Sequence, residues 1–122
     1  MHPVSFVGAG PGAEDLLTLR AARHLREADV LVWTDSLISP AIPALAPAHC
    51  ERIRTSSLTL EQVIPILISR QRDGKRVVRL HDGDTSLYSA INEQICALSD
   101  AGIAVEVVPG ISAYQAAAAG LR

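Results

Sequence analysis

Chemistry-bearing residues gather in four short segments of this chain. Val7-Gly8-Ala9-Gly10-Pro11-Gly12 sets three glycines around a proline. A backbone without Cβ takes positive φ and approaches a ligand closely, and Pro11 stiffens the turn. Such a loop holds a small molecule with main-chain groups. Trp33-Thr34-Asp35-Ser36 brings a carboxylate and a hydroxyl. His81-Asp82-Gly83-Asp84 sets an imidazole beside two carboxylates, and Pro109-Gly110-Ile111-Ser112 closes the set. A metal site at His81, Asp82 and Asp84 needs convergence, yet strand alternation turns His81 and Asp82 to opposite faces. His2, His24 and His49 are scattered, so no metal site is expected. Asp84 and Ser112 also fit the N-caps of following helices.

The elements around these segments explain their placement. Val4 to Val7, Val30 to Trp33, Val77 to Leu80 and Ala104 to Val108 are short apolar runs, as in a buried sheet, and Glu51 to Arg54 reads as a further short strand. Thr18 caps a helix to about Ala28, with Leu19, Ala22 and Leu25 on one face. Pro40, Pro43 and Pro47 punctuate a loop with at most a short helix. Thr59 and Gln62 form a capping box that opens a helix to about Asp73, ended by Gly74. Pro65 falls early enough in it to be tolerated. Leu87 to Leu98 has helical period and stops at Gly102. Ser112 and Gln115 open a last helix through the alanines 116–119. The fold class is therefore α/β, a doubly wound parallel sheet of about five strands with helices on both faces. In such sheets ligands bind beyond the carboxyl ends of the strands, where all four special segments fall.

Composition narrows the function. Over 122 residues, 48% are hydrophobic and 3% aromatic, so one domain with an aliphatic core is expected. Net charge of -2 gives no electrostatic case for nucleic acid or an anionic membrane as partner. The basic cluster Arg70, Arg72, Lys75, Arg76 and Arg79 reads as solvated. Cys50 and Cys96 read as reduced thiols of a cytoplasmic protein, Cys96 as a small core residue. No signal peptide or membrane span is expected.

One competing pattern is Gly8-x-Gly10-x-x-Ala13 with Asp35 at the end of the second strand, a dinucleotide fingerprint of an oxidoreductase. That fingerprint needs the helix to begin within the glycine turn. Here Glu14 and Asp15 come next, and the helix signal starts only at Thr18. A helix from Gly12 would favour the dinucleotide fold, and one from Thr18 would disfavour it. A non-enzymatic binding domain is the third class.

Gly8 through Leu19 resembles the opening motif of the tetrapyrrole (corrin/porphyrin) methylases. Gly83-Asp84-Thr85-Ser86-Leu87-Tyr88 is similar to their Gly-Asp-Pro loop, and Pro109-Gly110-Ile111-Ser112-Ala113 to their Pro-Gly-Val/Ile-Ser/Thr loop. Order and spacing agree over nearly the whole chain. Trp33-Thr34-Asp35-Ser36-Leu37, and Arg79-Leu80-His81-x-Gly83-Asp84 with Ser86 through Ile91, resemble the precorrin-4 and cobalt-precorrin-4 C(11)-methyltransferase group. Thr85 stands where the family usually has proline, and Asp82 and Ser89 where Thr and Gly are common. Uroporphyrinogen methylases, diphthine synthases and some ribosomal RNA methylases share the general loops.

The resemblance implies S-adenosylmethionine as cofactor and a precorrin as substrate, methylated on a ring carbon in cobalamin biosynthesis. Cofactor contacts fall on Pro11, Gly83, Asp84, Thr85, Tyr88, Ser112 and Ala113. Substrate-loop candidates are Gly10, Gly12, Asp35, Ser36 and His81. The general base is open among carboxylates such as Asp35, Asp82 and Asp84, or water. It further implies that residues 1–122 form an amino-terminal α/β domain without its carboxy-terminal partner, inactive in isolation, of a protein that is a homodimer at full length. The substrate's many carboxylates ask for arginines that this slightly acidic chain is expected to leave to another domain.

Overall fold

Five short runs become five parallel strands in the computed structural model, which describes residues 2–10, 14–34, 38–81 and 90–111. They are β1 (Val4–Gly8), β2 (Val30–Trp33), β3 (Glu51–Arg54), β4 (Val77–His81) and β5 (Val105–Val108). The helices are α1 (Leu19–Arg26), α2 (Leu60–Arg72) and α3 (Ala90–Asp100). The sheet order is β3-β2-β4-β1-β5. β1 lies between β4 and β5, with Phe6 opposite Arg79 on one side and Val107 on the other. β2 pairs with β3 and β4.

β1, β2 and β4 are covered on both faces, which is why they read as largely apolar runs, with Ser5 and Arg79 the buried polar exceptions. One core joins Val7, Leu31, Val78 and Leu80 to Ala21 and Leu25 of α1 and to Ile38 and Ile42. The other joins Val4, Phe6, Val30, Val32 and Val77 to Val63 and Leu67 of α2 and Ile91 and Leu98 of α3. Burying a Leu such as Leu25 or Leu67, both fully inaccessible, contributes about 1.5–3 kcal/mol each.

Helix ends follow local chemistry. Thr18 caps α1 by accepting the Ala21 N–H at 3.1 Å. At α2, Gln62 Oε1 accepts the Thr59 N–H at 2.8 Å. Pro65 sits inside α2 on its exposed side. Gly102 closes α3 at φ +78°, where the Ile103 N–H reaches the Leu98 carbonyl at 2.9 Å. The proline-punctuated stretch holds only a 3-10 turn at Pro43–Leu45.

Several expectations are corrected. The buried face of α1 centres on Ala21 and Leu25, with Ala28 following, which is an i, i+4, i+7 stripe. That stripe turns Leu19 to solvent, at 91% exposure, and leaves Ala22 half-buried. On α3 the buried positions are Ile91, Gln94 and Leu98, so Cys96 faces outward and is exposed, not a core residue. Arg79 does not belong with the solvated cations Arg72, Lys75 and Arg76, because it is 7% exposed in mid-β4. α1 also stops at Arg26, short of Ala28, and β5 begins at Val105.

Candidate active site

The direction in which the chain winds across the sheet reverses between β1 and β4. From β1 the chain crosses through α1 to β2 and onward to β3; from β4 it crosses through α3 to β5 at the opposite edge. The crossovers leave on opposite faces, which makes the carboxyl ends of β1 and β4 the switch point of the sheet, the crevice where such sheets bind ligands.

Hydrogen bonds knit this edge together. The Ala9 N–H donates to the His81 carbonyl at 2.6 Å, tying the glycine loop to the end of β4. The Thr18 hydroxyl donates to the Pro109 carbonyl at 3.4 Å, tying the start of α1 to the loop after β5. Thr34 and Thr55 share a hydroxyl–hydroxyl bond of 2.8 Å, and the Thr55 N–H reaches the Trp33 carbonyl at 2.8 Å. The ends of β1 and β4, and those of β2 and β3, are thereby bonded in pairs.

Gly10 carries φ +75° in the glycine loop, and a Cβ there would meet the Leu16 carbonyl oxygen at 3.0 Å. The main chain of Glu14–Leu16, a single 3-10 turn, folds back against it. A glycine is required here for both torsion and space.

His81 ends β4 and stacks on Phe6, with ring centroids 5.8 Å apart and planes 13° from parallel. Among the described residues its Nε2 is buried without a hydrogen-bond partner. Burial, reinforced by the Arg79 charge, pulls the imidazole pKa down to about 4, so the ring is neutral at physiological pH. Arg79 lies on the same face of β4. Its Nε donates to Gln94 Oε1 at 3.1 Å and its Nη1 to the Val32 carbonyl at 3.4 Å. Burial lowers its pKa to about 10, which leaves it cationic. A guanidinium is thus anchored beneath the crevice by neutral acceptors on α3 and β2.

Of the residues expected at the site, Gly10 and His81 are described, and both border the crevice. Pro11, Gly12, Asp35, Ser36, Asp82, Gly83, Asp84, Thr85, Tyr88, Ser112 and Ala113 lie outside the described residues, as does the second capping box at Ser112 and Gln115. Among the described residues no group of three His, Cys, Asp or Glu side chains could hold a metal ion. No described helix is long and apolar enough to cross a membrane. The sequence reading missed the Arg79–Gln94 pair. Its signal was present, since a charge amid the apolar run Val77-Val78-Arg79-Leu80 must be buried when both sheet faces are covered.

A family model described as Tetrapyrrole (Corrin/Porphyrin) Methylases matches residues 3–122. The chain belongs to the tetrapyrrole methylases. It is 43% identical over 118 residues to the precorrin-4 C(11)-methyltransferase of Rhodococcus erythropolis, covering 97% of this chain and 47% of that protein. The X-ray structure of a cobalamin biosynthetic enzyme, a cobalt precorrin-4 methyltransferase, superposes with a TM-score of 0.92 at 39% identity, over 96% of this chain and 49% of the other. Uroporphyrin-III C-methyl transferase from Thermus thermophilus, complexed with S-adenosylhomocysteine, superposes with a TM-score of 0.81 at 35% identity, over 95% of this chain and 48% of that one. The chain spans about half the length of the curated relatives it matches. Family membership overturns the dinucleotide reading, and the geometry gives the reason. Among the described residues α1 is the first α-helix after β1, and it begins at Leu19 behind the Thr18 cap, away from the glycine turn.

Proposed function

We propose that this chain contributes the cofactor-binding lobe of an S-adenosylmethionine-dependent methyltransferase that methylates a precorrin, at ring carbon 11 of precorrin-4, in cobalamin biosynthesis. The observation that carries this reading is the crevice between β1 and β4, where the Gly10 turn and the His81 end of β4 are bonded together through Ala9. The residues present fit the cofactor: Gly10 lets the loop fold back tightly against the Leu16 carbonyl at the end of β1, and the neutral His81 ring adds no positive charge beside a sulfonium. The buried Nε2 of His81 is a polar atom in want of a partner at the crevice.

S-adenosylmethionine, when bound, supplies an electrophilic methyl group. Pro11, Gly83, Asp84, Thr85, Tyr88, Ser112 and Ala113 hold it, largely through main-chain groups. Gly10, Gly12, Asp35, Ser36 and His81 border the acceptor. Because positive charge at sulfur is neutralised as the methyl moves, these residues need not stabilise a new anion. By fixing donor and acceptor relative to one another, they would supply several kcal/mol of the acceleration. The ring carbon must then lose a proton, taken by a nearby carboxylate or by water. Residues 1–122 act in this reading as one lobe, competent to bind but not to turn over, of a cytoplasmic protein that pairs as a homodimer.

Calorimetric titration of the chain with S-adenosylhomocysteine, with nicotinamide dinucleotide in parallel, tests the assignment. Binding of the first alone is expected. Binding of the dinucleotide, or methylated precorrin formed by the chain unaided, would contradict it.

A further inference from the structure

The segment 82–89 joins β4 to α3, and four of the cofactor contacts proposed above, Gly83, Asp84, Thr85 and Tyr88, fall within it. The residues that flank it are held by separate means. On the β4 side the His81 carbonyl accepts the Ala9 N–H at 2.6 Å, and the His81 ring stacks on Phe6 of β1. On the α3 side Ile91, Gln94 and Leu98 form one buried stripe. Among the described residues α3 packs chiefly against α2 and β5. The long Arg79 side chain reaches it from β4, two residues before His81 and on the same face of the strand. Arg79 Nε donates to Gln94 Oε1 at 3.1 Å, one turn into α3, while Nη1 donates to the Val32 carbonyl of β2 at 3.4 Å. One guanidinium thus bonds β2 and α3 to β4, close to both ends of the segment.

Stability alone does not explain this pair. Both side chains are buried, Arg79 at 7% and Gln94 at 3% exposure, and the cost of burying the cation shows in its pKa, lowered to about 10. A methionine and a leucine would fill similar space without that cost, and apolar replacements of buried charges are often neutral or stabilising. What they lack is direction. An apolar contact lets a helix turn or slide on a sheet, whereas a charge-assisted hydrogen bond fixes distance and angle together. We propose that Arg79 and Gln94 are positioning residues for the cofactor: their bond spans the base of the segment 82–89, sets the spacing of its two ends, and so holds the groups carried between them in the arrangement that binds S-adenosylmethionine. The inference rests on the methyltransferase reading. Both side chains act from below the crevice, through His81 and Ala90 at the two ends of the segment. A segment whose ends are held gives up less freedom when a ligand orders it, so the bond shows in affinity.

The discriminating variant combines Arg79→Met with Gln94→Leu, which removes the bond and the buried cation together. Its urea midpoint should lie close to that of the wild type, while its affinity for S-adenosylhomocysteine, measured by calorimetry, should fall about tenfold. A pair that served stability alone would recover affinity along with the midpoint. Gln94→Glu keeps an acceptor for Arg79 Nε and should bind like the wild type. Leu25→Ala, at the far end of α1 in the other core, should lose stability yet keep affinity, which separates general loosening from a local effect even if the double variant is less stable than the wild type. Wild-type affinity in the double variant, an equal fall in Leu25→Ala, or a fall in Gln94→Glu as large as in the double variant would each overturn the positioning role and leave the cofactor reading in place. No binding by the wild-type chain would overturn the reading and the role together.

Discussion

His81 makes the chain acid-sensitive by a calculable amount. Its pKa falls from 6.5 in the unfolded chain to about 4 in the folded one, through burial and then the Arg79 charge. The folded pKa is depressed, so protons bind the unfolded chain first as pH drops. Stability is whole above about pH 6.5 and is lost as pH falls through 4. The fall from 6.5 to about 4 corresponds to about 3 kcal/mol. About 2 kcal/mol should be gone by pH 5 and about 3 by pH 4. Carboxylates titrate in the same range, so the wild-type curve alone is uninformative. The comparison is with His81→Gln, which keeps a polar side chain but cannot titrate. Urea unfolding followed by far-ultraviolet dichroism at pH 7, 6, 5 and 4 gives the free energy of each. The difference between the two proteins should move by about 3 kcal/mol in favour of His81→Gln from pH 7 to pH 4. A difference constant across that range would refute a neutral, buried His81.

The Arg79–Gln94 pair should behave as a unit. Gln94→Leu strips the closest acceptor from a buried guanidinium and should cost about 2–3 kcal/mol. Adding Arg79→Met should recover most of that loss, and a double variant no more stable than Gln94→Leu would contradict the desolvation argument. Two glycines with nearly equal torsions separate steric crowding from backbone strain. Gly102→Ala at φ +78° meets nothing within 4 Å and should cost about 1 kcal/mol, whereas Gly10→Ala adds a 3.0 Å approach to the Leu16 carbonyl and should cost distinctly more in urea unfolding. A smaller loss at Gly10 than at Gly102 would refute the steric reading.

Much of the fold was legible because its signals are local. Val30–Trp33 and Glu51–Arg54 occupy the spans their residue types indicate, and Thr18, Gly74 and Gly102 act where capping chemistry places them. Failures arose where the answer depends on which side of an element meets the core. Leu19 is a good core residue by type, but the seating of α1 on Ala21 and Leu25 turns it outward. Cys96 failed in the same way on α3. Arg79 failed from weighing charge above position. The glycine turn and His81 were legible as site candidates because torsion and strand ends are sequence-readable. The partner of Arg79 was not, since Gln94 lies 15 positions on and their meeting depends on how α3 seats on the sheet. The cofactor contacts at Pro11, Gly83 to Thr85, Tyr88, Ser112 and Ala113 remain proposals resting on motif and topology.

The sheet order has a consequence for synthesis. β1 is made first, yet both of its neighbours, β4 and β5, come from the far part of the chain. At about 5–20 residues per second, Val4 to Gly8 must wait several seconds after emerging from the ribosome before Val77 to His81 exist to pair with them. Only β2 and β3 pair with a strand adjacent in sequence. Until β4 emerges, the growing chain therefore carries an apolar strand with both edges open. That makes β1 a natural binding segment for a chaperone and the segment whose mispairing most threatens the yield of folded protein.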